Sequence, residues 1–321
     1  MASPKFLKKI AIVGANGNVG SYILSALRAK GHFQITAISR IQSKATFPSD
    51  IGVARVNYEQ PETLVEALKG QDALIITMSF SAQNAQEQLI RAAAEAGVPW
   101  ILPNEFGMFN TQAIENETIG PAKQKDRALI ESLRVSSWIG MIGGFWYEYS
   151  ISGGQFGIDL SKREVVYLDD GNQRLNTSTW PQTGLAVANL LSLPISSSDG
   201  KGPTLDQYRN RMLHFSSFTL SQREMFEAVQ KATGTTEKDW KMSSQSAKEC
   251  LARAKERLMA GDFSALSTAL YTRYFIDDAG LYEKVHGLNN EELSLPKEDL
   301  VDATKRAVEL AKTGFWDKLY K

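Results

Sequence analysis

Ile10-Ala11-Ile12-Val13-Gly14-Ala15-Asn16-Gly17-Asn18-Val19-Gly20 is the stretch that decides how this 321-residue chain folds. The hydrophobic strand Ile10-Ala11-Ile12-Val13 ends on a glycine, and an amphipathic helix opens inside the glycine-rich turn that follows. The three glycines have separate tasks: Gly14 permits the tight turn, Gly17 removes a side chain that would block a pyrophosphate, and Gly20 lets the helix pack closely. A strand, a glycine turn and a helix amino terminus together seat a pyrophosphate. The expected cofactor contacts here are Gly14, Asn16, Gly17, Asn18, Val19 and Gly20.

Moving outward, Val19, Ile23, Leu24 and Leu27 recur at helical spacing and Gly31 is placed to end that helix. Ile35-Thr36-Ala37-Ile38 reads as a second strand and Gly52-Val53-Ala54-Arg55-Val56 as a third. Pro61 starts a helix stopped by Gly70, and Ala73-Leu74-Ile75-Ile76-Thr77-Met78 has the near-continuous apolar run of a parallel strand covered on both faces. A helix from about Ala82 to Ala96 and the strand Trp100-Ile101-Leu102 complete a repeating strand-helix order. That order predicts a Rossmann-type, doubly wound parallel α/β sheet with its ligand across the carboxyl ends of the strands.

Pro121 then starts a helix carrying Lys123, Lys125 and Arg127, and a sixth strand around Ser137 to Ile142 runs into Gly143-Gly144 and the aromatic cluster Phe145, Trp146, Tyr147 and Tyr149. A strand at Glu164-Val165-Val166-Tyr167-Leu168, a helix after Pro181, a helix capped by Thr219 and running to Gly234, and a largely helical stretch from Ser246 to about Thr272 follow. Residues 1–155 are expected to be predominantly the NADP-binding Rossmann unit. Residues 156–321 mix returning Rossmann elements with a smaller, mainly helical substrate lobe.

Thirty-six basic residues balance thirty-six acidic ones, so bulk charge argues for neither nucleic acid nor membrane as a partner. No apolar stretch is long enough to span a bilayer and the amino terminus lacks the pattern of a secretory signal, so the expected location is cytoplasmic. Cys250 is a single cysteine, and His32, His214 and His286 lack metal-ligand spacing, so no metal is expected.

The end of the second strand reads on the choice of cofactor. An NAD-selective site places an acid about twenty positions after the first glycine, to accept hydrogen bonds from the ribose hydroxyls. Here the chain reads Ile38-Ser39-Arg40 with no acid until Asp50. Arg40 can fork onto a ribose phosphate, Lys44 adds a second cation and Ser39 a hydroxyl, which points to NADPH/NADP+. Thr77, Met78 and Ser79 follow the fourth strand where cofactor ribose and nicotinamide approach.

The glycine turn, Arg40 with Lys44, the block Val98-Pro99-Trp100-Ile101-Leu102-Pro103-Asn104-Glu105-Phe106-Gly107 and the helix Pro121 to Glu131 resemble the isoflavone reductase-like and NmrA-like branch of the atypical short-chain dehydrogenases/reductases. The likeness covers most of the first 235 residues. It implies that Asn104, Glu105 and Phe106 lie near the nicotinamide and that the later helix supplies an active-site lysine, Lys123 or, in the other register, Lys125. No tyrosine here has a lysine four residues later, so the tyrosine-lysine pair of ordinary short-chain dehydrogenases is absent.

The implied function is NADPH-dependent hydride transfer to a small apolar or aromatic organic substrate, with Phe109, Phe145, Trp146, Tyr147 and Trp180 as candidate pocket walls. The alternative is an NmrA-like redox sensor that binds the cofactor with little turnover and acts through a regulatory protein partner. Oligomerisation is left open by the sequence. Relatives often place an acid at the start of the helix that here begins with Thr183 and Gly184, a departure that puts a copied interdomain contact in doubt.

Overall fold

The computed structural model describes residues 5–79, 82–108, 111, 114, 121–197 and 200–319. Its first half alternates strand and helix: β1 (Lys9–Val13), α1 (Asn18–Lys30), β2 (Gln34–Arg40), β3 (Gly52–Val56), α2 (Pro61–Leu68), β4 (Ala73–Ile76), α3 (Gln83–Glu95), β5 (Trp100–Leu102), α4 (Ala122–Leu133) and β6 (Ser137–Ile142). After the lobe elements β7 (Phe145–Trp146), α5 (Tyr147–Ser152), β8 (Ile158–Asp159), β9 (Glu164–Leu168) and β10 (Arg174–Ser178), the chain returns through α6 (Trp180–Leu191) and β11 (Arg211–His214). Seven strands in the order β11-β6-β5-β4-β1-β2-β3 form one sheet, and every pair in it is parallel.

The strand pleat sorts apolar residues into two layers, because successive side chains point to opposite faces. Ile10 and Ile12 join Ile23, Leu27 and Val187 on the face covered by α1 and α6. Ala11 and Val13 join Leu64, Leu68, Leu89, Ile90 and Ile130 on the face covered by α2, α3 and α4. This is the Rossmann-type architecture that the strand-helix order predicts. The helix after Pro181 is where the prediction of an altered contact becomes visible: a Cβ on Gly184 would stand 2.5 Å from the Tyr22 carbonyl oxygen, so the missing side chain lets α6 settle directly on α1.

The rest of the chain, with β12 (Phe218–Ser221), α7 (Gln222–Thr233), β13 (Lys241–Gln245), α8 (Ala247–Met259), α9 (Leu266–Tyr274), α10 (Glu283–His286), α11 (Leu300–Lys312) and α12 (Phe315–Leu319), builds the smaller, mostly helical lobe around two three-stranded sheets, β12-β10-β7 and β13-β9-β8. Its core gathers Phe156, Val165, Met225, Tyr274 and Ala303. The cap of α7 corrects the sequence expectation. Ser221, not Thr219, accepts the amide of Glu224 while the Glu224 carboxylate returns to the Ser221 amide, a reciprocal capping box; Thr219 is inside β12.

Candidate cofactor and active site

At the end of β1 the backbone of Gly14 is left-handed, at φ +78°. A Cβ there would lie 1.7 Å from the Thr77 carbonyl oxygen, and one on Gly20 would lie 2.1 Å from the Gly14 carbonyl oxygen. These two glycines serve packing: the end of β4 presses onto the turn, and the Thr77 hydroxyl donates to the Val13 carbonyl at 2.8 Å. Gly17 differs. A Cβ there would meet only the Gly14 carbonyl oxygen, at 3.1 Å, and the residue is exposed.

Gly17 is also the N-cap of α1, which has neither a side-chain cap nor an acid in its first turn. The first amides of the helix therefore point outward with the positive end of the helix dipole behind them, and a diphosphate fits this cradle without displacing a side chain. Val19 is buried in the core, so its side chain is unavailable and only its backbone can serve a ligand. Asn16 is exposed and donates through Nδ2 to the Thr46 carbonyl at 3.2 Å, tying the glycine turn to the loop after β2.

That loop carries the cations. Arg40 and Lys44 are exposed and Ser39 is half-buried. Asp50, the first acid downstream, is engaged elsewhere, in a two-point pair with Arg28 at 2.9 and 2.8 Å. Among the described residues no carboxylate pairs with Arg40 or Lys44, which suits a phosphate on the adenosine ribose.

At the neighbouring strand ends, Asn104 acts as a clasp. Its Oδ1 accepts the Met78 amide at 3.3 Å and its Nδ2 donates to the Met78 carbonyl at 2.9 Å, so one side-chain amide imitates a strand between the ends of β4 and β5. The Asn104 amide in turn donates to Gln86 Oε1 at 2.9 Å, and Gln86 Nε2 donates to Asp126 on α4. Burial pushes the Asp126 carboxyl above its usual range; the Gln86 hydrogen bond opposes this, and the charges of Glu105 and Glu87 reinforce it.

Glu105 and Phe106 point inward, at 2% and 4% exposure. Arg127 Nη1 lies 2.7 Å from both Glu105 carboxylate oxygens, and its guanidinium stands over the Trp138 ring. This buried pair fastens α4 to the loop after β5. Lys123 lies one turn before Arg127 on the same helix face and is half-buried, whereas Lys125 is exposed.

The aromatic residues divide. Phe145 stacks on Tyr271 with ring centres 3.9 Å apart, and Tyr147 is fully buried with its hydroxyl 2.7 Å from that of Thr304. Burial raises the Tyr147 phenol above its ordinary range. Both residues, expected on a pocket wall, pack into the lobe core, Phe145 from β7 and Tyr147 from the first turn of α5. Trp146 is half-buried and meets Trp180, which stacks on Tyr22 of α1 with ring centres 5.7 Å apart. Trp146 and Trp180 thus form a seam between the lobe and the cofactor helix. Phe109 lies outside the described residues.

Several functional neighbours escaped sequence reasoning. Arg55 of β3 contacts the loop after β2; a lone arginine in an alternating strand carries no signal. Glu148 accepts the Trp180 amide at 3.1 Å and pairs with Arg306 at 3.0 Å, supplying from α5 the acid missing at the start of α6. His214 and His286 stack with ring centres 4.6 Å apart. Among the described residues no three His, Cys, Asp or Glu side chains converge as metal ligands, and no helix is long and apolar enough to cross a membrane.

Comparison with known proteins agrees with this fold. A family model described as NAD(P)H-binding matches residues 14–137. The oxidoreductase aprR of Aspergillus flavus is 33% identical over 295 residues, covering 90% of this chain and 94% of that protein. Among solved structures, an isoflavone reductase superposes with a TM-score of 0.73 at 20% identity over 95% of this chain and 99% of its own. The AtPrR2 protein, solved with NADP+ and (+)pinoresinol, superposes with a TM-score of 0.67 at 19% identity over 94% and 99%.

Proposed function

The chain belongs to the NAD(P)-binding Rossmann family of oxidoreductases related to the isoflavone reductase-like proteins, and from that premise we propose that it is an NADPH-dependent reductase of the isoflavone reductase-like and NmrA-like branch, acting on a small apolar or aromatic molecule. The observation that supports the reading is the Glu105–Arg127 pair, which fastens α4, with Lys123 one turn before Arg127 on the same face, to the loop after β5. When bound, the cofactor supplies a hydride.

The residues of the chain do the rest. The first turn of α1 holds the diphosphate through backbone amides, Arg40 and Lys44 hold the ribose phosphate, and Asn104 fixes the Met78 backbone beside the nicotinamide. Lys123 orients the nicotinamide ribose or the substrate oxygen and passes a proton through a hydroxyl or water, the role left open by the missing tyrosine-lysine pair. Trp146, half-buried at the lobe seam, offers flat apolar surface backed by the buried Trp180, which suits an aromatic substrate such as the pinoresinol held by AtPrR2.

The test uses NADPH deuterated on the transferring face with a panel of small aromatic ethers, enones and quinones. The label is expected on a product carbon. Lys123→Met should abolish that transfer while the NADPH Kd stays within about threefold, and Lys125→Met should preserve it. Tight NADPH binding with no label transfer to any compound would replace the reductase with the cofactor-sensing alternative.

A further inference from the structure

The loop that leaves β2 is held from β3 by the Arg55 side chain, beside the backbone bond from the Ile41 amide to the Val56 carbonyl at 2.9 Å. Ser39 and Arg55 are register partners in the parallel β2–β3 pair, so the two side chains stand side by side on one face of the sheet. Arg55 Nη1 donates to Ser39 Oγ at 3.1 Å and to the Ser43 carbonyl at 2.9 Å, and Nη2 donates to the Ala45 carbonyl at 2.9 Å. The guanidinium also lies 6.0 Å from the centre of the Phe47 ring. From the opposite side Asn16 holds Thr46, so the loop is suspended between the glycine turn and β3.

Two features make this clasp more than loop support. Ser39 Oγ accepts from Arg55, which occupies a lone pair and leaves the hydroxyl proton to donate elsewhere. The guanidinium uses three of its N–H donors on Ser39, Ser43 and Ala45, and a planar fork has two more. The setting is electropositive: residues 39 to 49 contain no acid, and among the described residues Arg40, Lys44 and Arg55 form no ion pair with a carboxylate. A dianionic monoester entering between Arg40 and Lys44 meets a hydroxyl already turned to donate and a third cation behind it.

We propose that Arg55 is the positioning residue for recognition of the 2′-phosphate of NADPH, holding the Arg40–Lys44 loop in shape and turning the Ser39 hydroxyl outward as a donor. The inference rests on the reading of NADPH as the cofactor. A lysine could supply the charge but not the three-point grip, since an ammonium lacks the planar fork.

Calorimetric titration of the full chain with NADPH, NADH and 2′,5′-ADP tests it. Arg55→Met, which keeps the apolar stem, should weaken NADPH and 2′,5′-ADP about 10- to 30-fold, the range of one or two charge-assisted hydrogen bonds, and leave NADH within about twofold. Arg55→Lys should recover no more than about threefold of that loss. Because Arg55 acts through Ser39, the double variant Arg55→Met with Ser39→Ala should lose less than the product of the two single losses. Equal weakening of NADPH and NADH would reduce Arg55 to general support, and unchanged NADPH affinity would remove any role; either overturns the inference while wild-type preference for NADPH leaves the cofactor reading standing. If the wild type binds NADPH and NADH equally, the cofactor reading itself falls and the inference with it. Should Arg55→Met fail to fold, Arg55→Lys carries the test, with an expected NADPH-specific loss of about fivefold.

Discussion

Arg127 shows how much can depend on one cation whose partner is out of water. The Glu105 side chain is 3% exposed and Arg127 supplies its ion pair, so Arg127→Leu leaves a buried carboxylate without a counter-charge. Breaking such a pair from one side costs about 3–5 kcal/mol, and urea unfolding of the variant should show a loss of that size. His214 makes a second prediction, about pH. Burial and the adjacent His286 lower its pKa from 6.5 to about 4, so between those values the unfolded chain binds a proton that the folded chain refuses. Stability therefore falls as pH drops through that window, by on the order of 3 kcal/mol in total. Buried carboxyls with raised pKa, Glu148 among them, act in the opposite sense, so the readout is a difference. The gap in urea midpoint between wild type and His214→Gln should narrow from about pH 7 to about pH 4.5, and a constant gap would exclude His214 as the source.

Within the glycine turn, three chemically identical residues divide into two kinds. Gly14→Ala and Gly20→Ala each force a Cβ into backbone, at 1.7 and 2.1 Å, so both should destabilise the fold by about 2 kcal/mol or more and lose NADPH binding with it. Gly17→Ala meets one atom at 3.1 Å, so its melting temperature should hold while NADPH affinity falls about tenfold or more. Equal melting losses for all three would deny Gly17 a ligand role. Most of these elements were legible in the sequence. Strands such as Ala73–Ile76 announce themselves by apolar runs, and helix ends by Gly31 and Gly234. The Thr219 cap was misread because Thr219 and Ser221 each have a capping-box partner three residues on, Gln222 and Glu224; the pairing of β12 with β10 keeps Thr219 in the strand and leaves Ser221 to cap the helix. The role of Glu105 was similarly hidden, since the Asn104-Glu105-Phe106 block does not say which of its side chains faces inward.

Across the molecule, the lobe and the sheet are joined by a polar knot. Arg306 on α11 pairs with Glu148 at 3.0 Å and with Glu298 at 3.4 Å. Glu298 accepts the Thr179 hydroxyl at 2.8 Å and that of Ser217 at 2.5 Å, while Glu148 receives the amide of Trp180. Thr179 caps α6, and α6 lies against the cofactor helix α1. The knot therefore connects the carboxyl-terminal helices to the element that seats the diphosphate. Arg306→Met leaves Glu148 buried with its charge unmatched, and because Arg306 itself is 42% exposed the expected loss is about 2–3 kcal/mol, below that for a fully enclosed pair. Thermal unfolding measures it, and bound NADPH should recover part of the loss by mass action. A variant as stable as wild type would show that the aromatic seam, not the knot, joins the two parts.

The linear chain alone determined the glycine turn, the alternation of strand and helix, and hence a parallel sheet with a phosphate seat at one edge, because each of these depends on residues within a few positions of one another. Folding in three dimensions decided the rest: that β11 returns beside β6, that Arg55 grips the loop after β2, that Glu148 supplies from α5 the acid missing from α6, and that two histidines 72 positions apart by residue number stack. These contacts join segments whose local patterns carry no record of each other. Periodicity identifies which face of an element is apolar, but the charge or donor that meets a buried polar atom is chosen by packing.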